Sequence, residues 1–275
     1  MEEKKSNKGL IGLVVVLIIM VLGLGGYIVY DKVLSTENET KKNNVEENEV
    51  EKSELSFDEA KKQIEKKMEY IMKMDDDFDS PDFEIYYSKD KVNVSDLSNI
   101  DRLFLAFKSI EPTEIPEYDE KHLTIKDNEI DTAMKNLFGE NVKYNHESVC
   151  SKYTGICRKY DLAKKEYDIY SQAIGSRGFK AKYKIINYTQ DKNKIFVYIK
   201  SAVIAPNLAE PLANMTIYNF PWHQTDNIID SIRVDDIYDY DQIKFDNYLD
   251  KIKTYKLTFI NENNNYIFAS IENEK

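Results

Sequence analysis

Residues 9–30 read GLIGLVVVLIIMVLGLGGYIVY, twenty-two consecutive positions without a charged side chain. As an α-helix rising 1.5 Å per residue, the stretch measures about 33 Å, enough to cross a hydrocarbon layer of roughly 30 Å. A helix packed in a soluble core carries a polar stripe, and this one carries none. It is longer than the ~7–15 apolar residues of a signal peptide, and neither a small-x-small cleavage motif nor a cysteine for lipidation accompanies it. The segment is expected to be an uncleaved signal anchor. Lys4, Lys5 and Lys8 precede it, whereas Asp31, Glu37 and Glu39 follow beside Lys32. The positive-inside rule then places residues 1–8 in the cytoplasm and the rest of the chain outside.

Residues 31–54 are rich in Asn, Glu and Lys and contain no aromatic side chain. Such a stretch buries too little apolar surface to offset its ordering entropy, so a disordered linker is expected. Beyond it, residues 55–275 are expected to form one extracytoplasmic domain. Composition limits what that domain does. The chain has 275 residues, with 49 Asp and Glu against 38 Lys and Arg, a formal charge of −11. The tail sums to +1 (three Lys against Glu2 and Glu3), which leaves −12 beyond the membrane. An acidic balance argues against nucleic acid as a partner, because phosphate binding needs clustered basic side chains. A 42% hydrophobic and 12% aromatic content is sufficient for a packed core.

Order is predicted to begin at Leu55. Ser56-Phe57-Asp58-Glu59 is a capping box, and Phe57, Ala60, Ile64, Met68, Ile71 and Met72 recur at helical spacing behind it, which predicts a helix over 57–74. Leu97, Ile100, Phe104 and Phe107 predict a second helix near 96–109, ended by Pro112. A third is predicted from a Thr124-x-x-Asp127 cap to Gly139. The period then changes to that of strands. A strand is expected over 162–170 and another over 213–220. Two hairpins are expected, one turning at Asp191-Lys192-Asn193 and one at 261–265. A fourth helix is expected near 241–253. Helices first and antiparallel strands after define an α+β domain.

The lysine-bearing anchor, the Asn/Glu/Lys tether, the Phe-Gly-Glu-Asn-Val-Lys-Tyr segment at 138–144 and the ending YKLTFINENNNYIFASIENE resemble uncharacterised single-pass, membrane-anchored extracytoplasmic proteins of low-GC Gram-positive bacteria. The resemblance implies a cell-envelope setting and a helix-plus-curved-sheet fold similar to cystatin-like or NTF2-like domains. It implies no activity.

Cys150 and Cys157 are the only thiols. Outside the cytosol two nearby cysteines usually pair, and a reversal through residues 152–155 brings them within range, so a structural disulfide is expected. The rival is a catalytic thiol. Gly155-Ile156-Cys157-Arg158 is similar to the Cys and Arg pairing of wall transpeptidases, but the spacing differs from both L,D-transpeptidases and sortases. His122, His146 and His223 are scattered, with no metal-binding pair, although His146 is close enough in sequence to serve Cys150 as a base. Residues 75–86 place Asp75, Asp77 and Asp79 at the first three positions of a calcium loop, but Ser80 and Tyr86 replace its turn glycine and bidentate acid. A solvated acidic run is expected there. The candidate binding loop is Phe220, Trp222 and His223, where Asn219-Phe-Pro-Trp-His concentrates aromatic rings around the sole tryptophan. Nucleotide, dinucleotide and serine-hydrolase signatures are absent.

The sequence therefore leads to an expectation of a non-enzymatic envelope binding or scaffold protein without cofactor, whose partner is an envelope protein or glycan. The alternatives are a degenerate cysteine transpeptidase-like enzyme of the wall and an envelope sensor or assembly accessory.

Overall fold

The computed structural model describes residues 55–72, 86, 89–112, 115–117, 120–150, 155–172, 179–207, 214–220, 224–237 and 239–274. The expected tail, membrane span and linker lie outside these residues, as do most of the acidic run at 75–86, and among the described residues no helix is long and apolar enough to cross a membrane. Residues Glu54–Lys275 cluster as one compact unit.

Three helices form where apolar spacing and caps coincide. In α1 (Phe57–Met72) the Ser56 amide donates to Glu59 Oε2 at 3.0 Å and the Glu59 amide to Ser56 Oγ at 3.4 Å, the reciprocal capping box expected from sequence. Helix α2 (Asn99–Ile110) is capped the same way by Ser98 and Asp101. Helix α3 (Asp127–Phe138) starts later than its expected cap. Thr124 lies in strand β2 (Leu123–Lys126), and the Lys126 amide donates to Glu129 Oε2 at 2.9 Å instead. Strand pairing of β2 with β5 (Glu166–Ser171) claims the backbone that Thr124 would otherwise cap. Gly139 ends α3 at φ +90°, a conformation open to glycine.

Two antiparallel sheets complete the mixed α+β architecture. The smaller runs β2-β5-β4-β3, with β3 at Val149–Cys150 and β4 at Ile156–Asp161. The continuous strand expected over 162–170 is instead a turn followed by β5. Leu162 is 77% exposed in that turn and Lys165 takes φ +53°. The larger sheet contains β1 (Lys91–Asn93), β6 (Lys180–Asp191), β7 (Lys194–Pro206), β8 (Asn214–Tyr218), β9 (Ile228–Arg233), β10 (Thr254–Glu262) and β11 (Asn265–Glu274), in the order β1-β11-β10-β7-β8-β9 with β6 also paired to β7. Both expected hairpins are present with two-residue turns, Lys192-Asn193 and Asn263-Asn264. The second has φ of +56° and +67° at its two asparagines.

Strand β7 organises the sheet. Its residues 194–200 pair with β10 and residues 203–206 with β8 on that same side, while β6 follows its other side. Along the first stretch burial alternates: Ile195, Val197 and Ile199 face the three helices, and the residues between them are half-buried. From Ser201 to Ala205 every residue is buried, because a second core covers the opposite face. There Ala202, Ile204, Met215 and Ile217 pack against Val234, Tyr240, Ile243 and Ile252. The chain covering them was expected to form a helix at 241–253. It is two 3₁₀ turns, Tyr240–Gln242 and Phe245–Tyr248, with Asp239 Oδ1 accepting from the Asp241 amide at 3.0 Å. Repeated Asp and Asn residues favour such local bonds over helix propagation.

Candidate binding cleft

Strand β6 lies between two walls that both bring carboxylates to it, Glu65 and Glu69 on one side and Asp241 and Asp246 on the other. Above one of its faces the second half of α1 presents Glu65 and Glu69. Glu65 Oε1 accepts from the Tyr188 hydroxyl at 2.7 Å, and Lys61 lies 5.3 Å from the Tyr188 ring centre. Burial, with the carboxylates of Glu69 and Glu65 adding to it, pushes the Tyr183 phenol above its ordinary range. On the other face Lys182 donates to the Tyr240 carbonyl at 2.9 Å and to Asp241 Oδ1 at 3.1 Å, and Lys184 pairs with Asp246 at 2.8 Å. The Lys182 ammonium holds the Asp241 carboxyl below its usual value. Between the walls opens a cleft of about 480 Å³, lined by Met72, Tyr183 and Phe245 and by the charged side chains of Glu69, Lys182, Lys184 and Asp246. Aromatic rings offer stacking surface, and exposed ion pairs, each weak, exchange readily with the charges of a ligand.

The residues singled out by sequence fall elsewhere. Cys150 and Cys157 are register partners across β3 and β4, with Cα atoms 4.0 Å apart and sulfurs within disulfide bonding distance. His146 does not serve Cys150. Its Nε2 lies 2.9 Å from Asp131 Oδ1 and its Nδ1 2.9 Å from the Tyr167 hydroxyl. A carboxylate only accepts, so Nε2 is the donor to Asp131, and in that tautomer Nδ1 accepts a hydrogen bond from the Tyr167 hydroxyl. Tyr144 also donates to Asp131, and the His146 ring stacks on Tyr160 with centres 5.2 Å apart. An Asp-His-Tyr alignment of this kind orients an imidazole as a catalytic triad does. Its hydroxyl, however, belongs to a residue of zero exposure, and burial pushes that phenol well above its ordinary range. The network ties α3 to the smaller sheet. It was invisible in sequence because its members come from four separate segments.

His122 is likewise engaged. Its Nδ1 lies 2.8 and 2.9 Å from the two Asp168 oxygens, and the ring stacks on Tyr170 at 4.6 Å. Phe220 is 1% exposed and meets Tyr255 edge-on at 6.4 Å, so it is a core residue and not an exposed platform. Trp222 and His223 lie outside the described residues. Among the described residues no group of three or more His, Cys, Asp or Glu side chains is placed to hold a metal ion.

No protein-family model matches the chain, and neither a curated protein nor a solved structure matches it.

Proposed function

We propose that the chain is a non-enzymatic, membrane-anchored binding or scaffold protein of the cell envelope. In this reading residues 9–30 span the membrane from a cytoplasmic tail, residues 31–54 form a tether, and the α+β domain, of cystatin-like or NTF2-like kind, engages an envelope protein or glycan outside. The observation that carries it is the cleft beside β6, which combines the Tyr183 and Phe245 rings with ion pairs at Lys182 and Lys184. Those groups suit reversible contact with a polar ligand. The competing wall-enzyme reading requires a thiolate nucleophile, and the two cysteines lie at disulfide distance from one another.

The topology is tested by adding protease to intact cells. The expected result is release of the folded domain at residues 31–54, and full protection of residues 55–275 would contradict the assignment. Binding is tested by capture from envelope extract and by sedimentation with purified wall glycan. Wild-type chain is expected to retain a specific component, and Phe245→Ala to lose it. Capture unaffected by Phe245→Ala would remove the cleft from the account.

A further inference from the structure

Strand β6 pairs with β7, and among the described residues no strand lies on its other side. It is twelve residues long, and its outward N–H and C=O groups form a template for another strand. The phase of those groups follows from the hairpin. Asp191 and Lys194 close a two-residue turn, so Asp191, Thr189 and Asn187 aim their backbone groups at β7, while Tyr188 and Gln190 aim outward. The register shift between Ile185 and Asn187 displaces this alternation by one residue and leaves Ala181 and Tyr183 outward on the other arm. Ile186, at the shift, is an apolar side chain 45% exposed.

We propose that a second copy of the chain docks antiparallel along this edge, with Ile185 of each copy opposite Ile186 of the other at the two-fold axis. In a strand of unbroken pleat this register would set residues of opposite faces against each other. The bulge in β6 makes it self-complementary. Ala181 falls opposite Gln190 and Tyr183 opposite Tyr188, with outward backbone groups meeting outward groups on the face nearest α1. On the other face Lys182 falls opposite Thr189 and Lys180 opposite Asp191. Edge lysines and bulges ordinarily discourage stray pairing. Here this register of β6 on itself sets Lys180 of each copy against the Asp191 carboxylate of the other, so the same residues favour this partner. The inference gives the β6 side of the cleft an occupant and rests on the reading of that cleft as a binding site.

The test uses the full chain in mild detergent, followed by sedimentation across a concentration series. Wild type is expected to dimerise and Ile186→Asp to remain monomeric. Lys180→Asp and Asp191→Lys each set like charges together at both ends of the dimer and should raise its Kd about tenfold. An equimolar mixture of these two variants should recover wild-type affinity, because each new charge then faces an opposite one. That recovery also shows that both variants are folded. A wild type monomeric at every concentration would overturn the proposal, as would a dimer indifferent to Ile186→Asp or a mixture no tighter than its parts. If the chain is monomeric and Phe245→Ala still abolishes capture, self-docking fails and the cleft reading stands.

Discussion

Arg158→Met should be among the most damaging single substitutions in this domain. Arg158 lies in β4 with its side chain 2% exposed, and Glu111 sits just past the end of α2 with its side chain 7% exposed. The guanidinium holds the carboxylate through two bonds, Nε to Oε1 at 2.6 Å and Nη2 to Oε2 at 2.8 Å, and lies 5.3 Å from the ring centres of both Phe104 and Phe107. Removing the cation strands a buried carboxylate against the negative end of a helix dipole. Loss of one partner of such a pair costs about 3–5 kcal/mol, since the remaining ion keeps its desolvation penalty without its Coulomb compensation. For a domain of this size that is a fall in Tm of roughly 10 °C. Replacing both residues, Glu111→Leu with Arg158→Met, removes the penalty together with the attraction and adds apolar surface beside Phe104 and Phe107. The double variant should recover to within about 1–2 kcal/mol of wild type. Urea denaturation of all four members of the cycle measures the coupling. If the double variant is as unstable as the sum of the singles, the two side chains do not compensate one another and the reasoning fails.

Gly139→Ala should cost about 1–3 kcal/mol, because the residue adopts φ +90° and an added Cβ would approach Glu262 Oε2 to 2.6 Å and Ile267 Cδ1 to 2.8 Å; equal stability in denaturant melts would contradict this. Lys67 is buried and donates to the Asn136 and Tyr266 carbonyls at 2.6 and 2.7 Å, and burial lowers its pKa from 10.5 to about 8. Between those values the unfolded chain binds more protons than the folded one, so stability relative to Lys67→Met should rise from pH 8 to 10.5, by at most about 3 kcal/mol. A difference flat or falling across that window would reverse the sign of the argument. If Cys150 and Cys157 are oxidised, purified protein should show no free thiol, a mass two hydrogens below the reduced form, and a loss of about 2–3 kcal/mol on double Cys→Ser change.

Much of the architecture was written in short-range signals. The Ser56 and Glu59 cap, the apolar spacing through Met72 and the Asn-rich turn of the last hairpin each depend on neighbours within a few residues, so they could be read from the chain alone. The failures have a common cause. Thr124 looked like a cap until β5 claimed its backbone, and residues 241–253 looked helical until the second core set them as 3₁₀ turns over Ala202 and Ile204. Phe220 looked like part of a candidate binding loop because a local cluster of aromatics gives no hint of Tyr255 thirty-five positions away. The cleft was illegible for the same reason. Glu69, Tyr183 and Phe245 come from three distant segments, and only the path of β6 between α1 and the second 3₁₀ turn brings them together.

The central claim is that function resides in the β6 cleft and not in thiol chemistry. Quantitative capture of an envelope component, measured at a temperature where every variant remains folded, sets the two against each other directly. The account predicts that Tyr183→Ala with Phe245→Ala abolishes capture and that Cys150→Ser with Cys157→Ser leaves it at the wild-type level. Loss of function in the cysteine variant, with capture intact in the cleft variant, would contradict it.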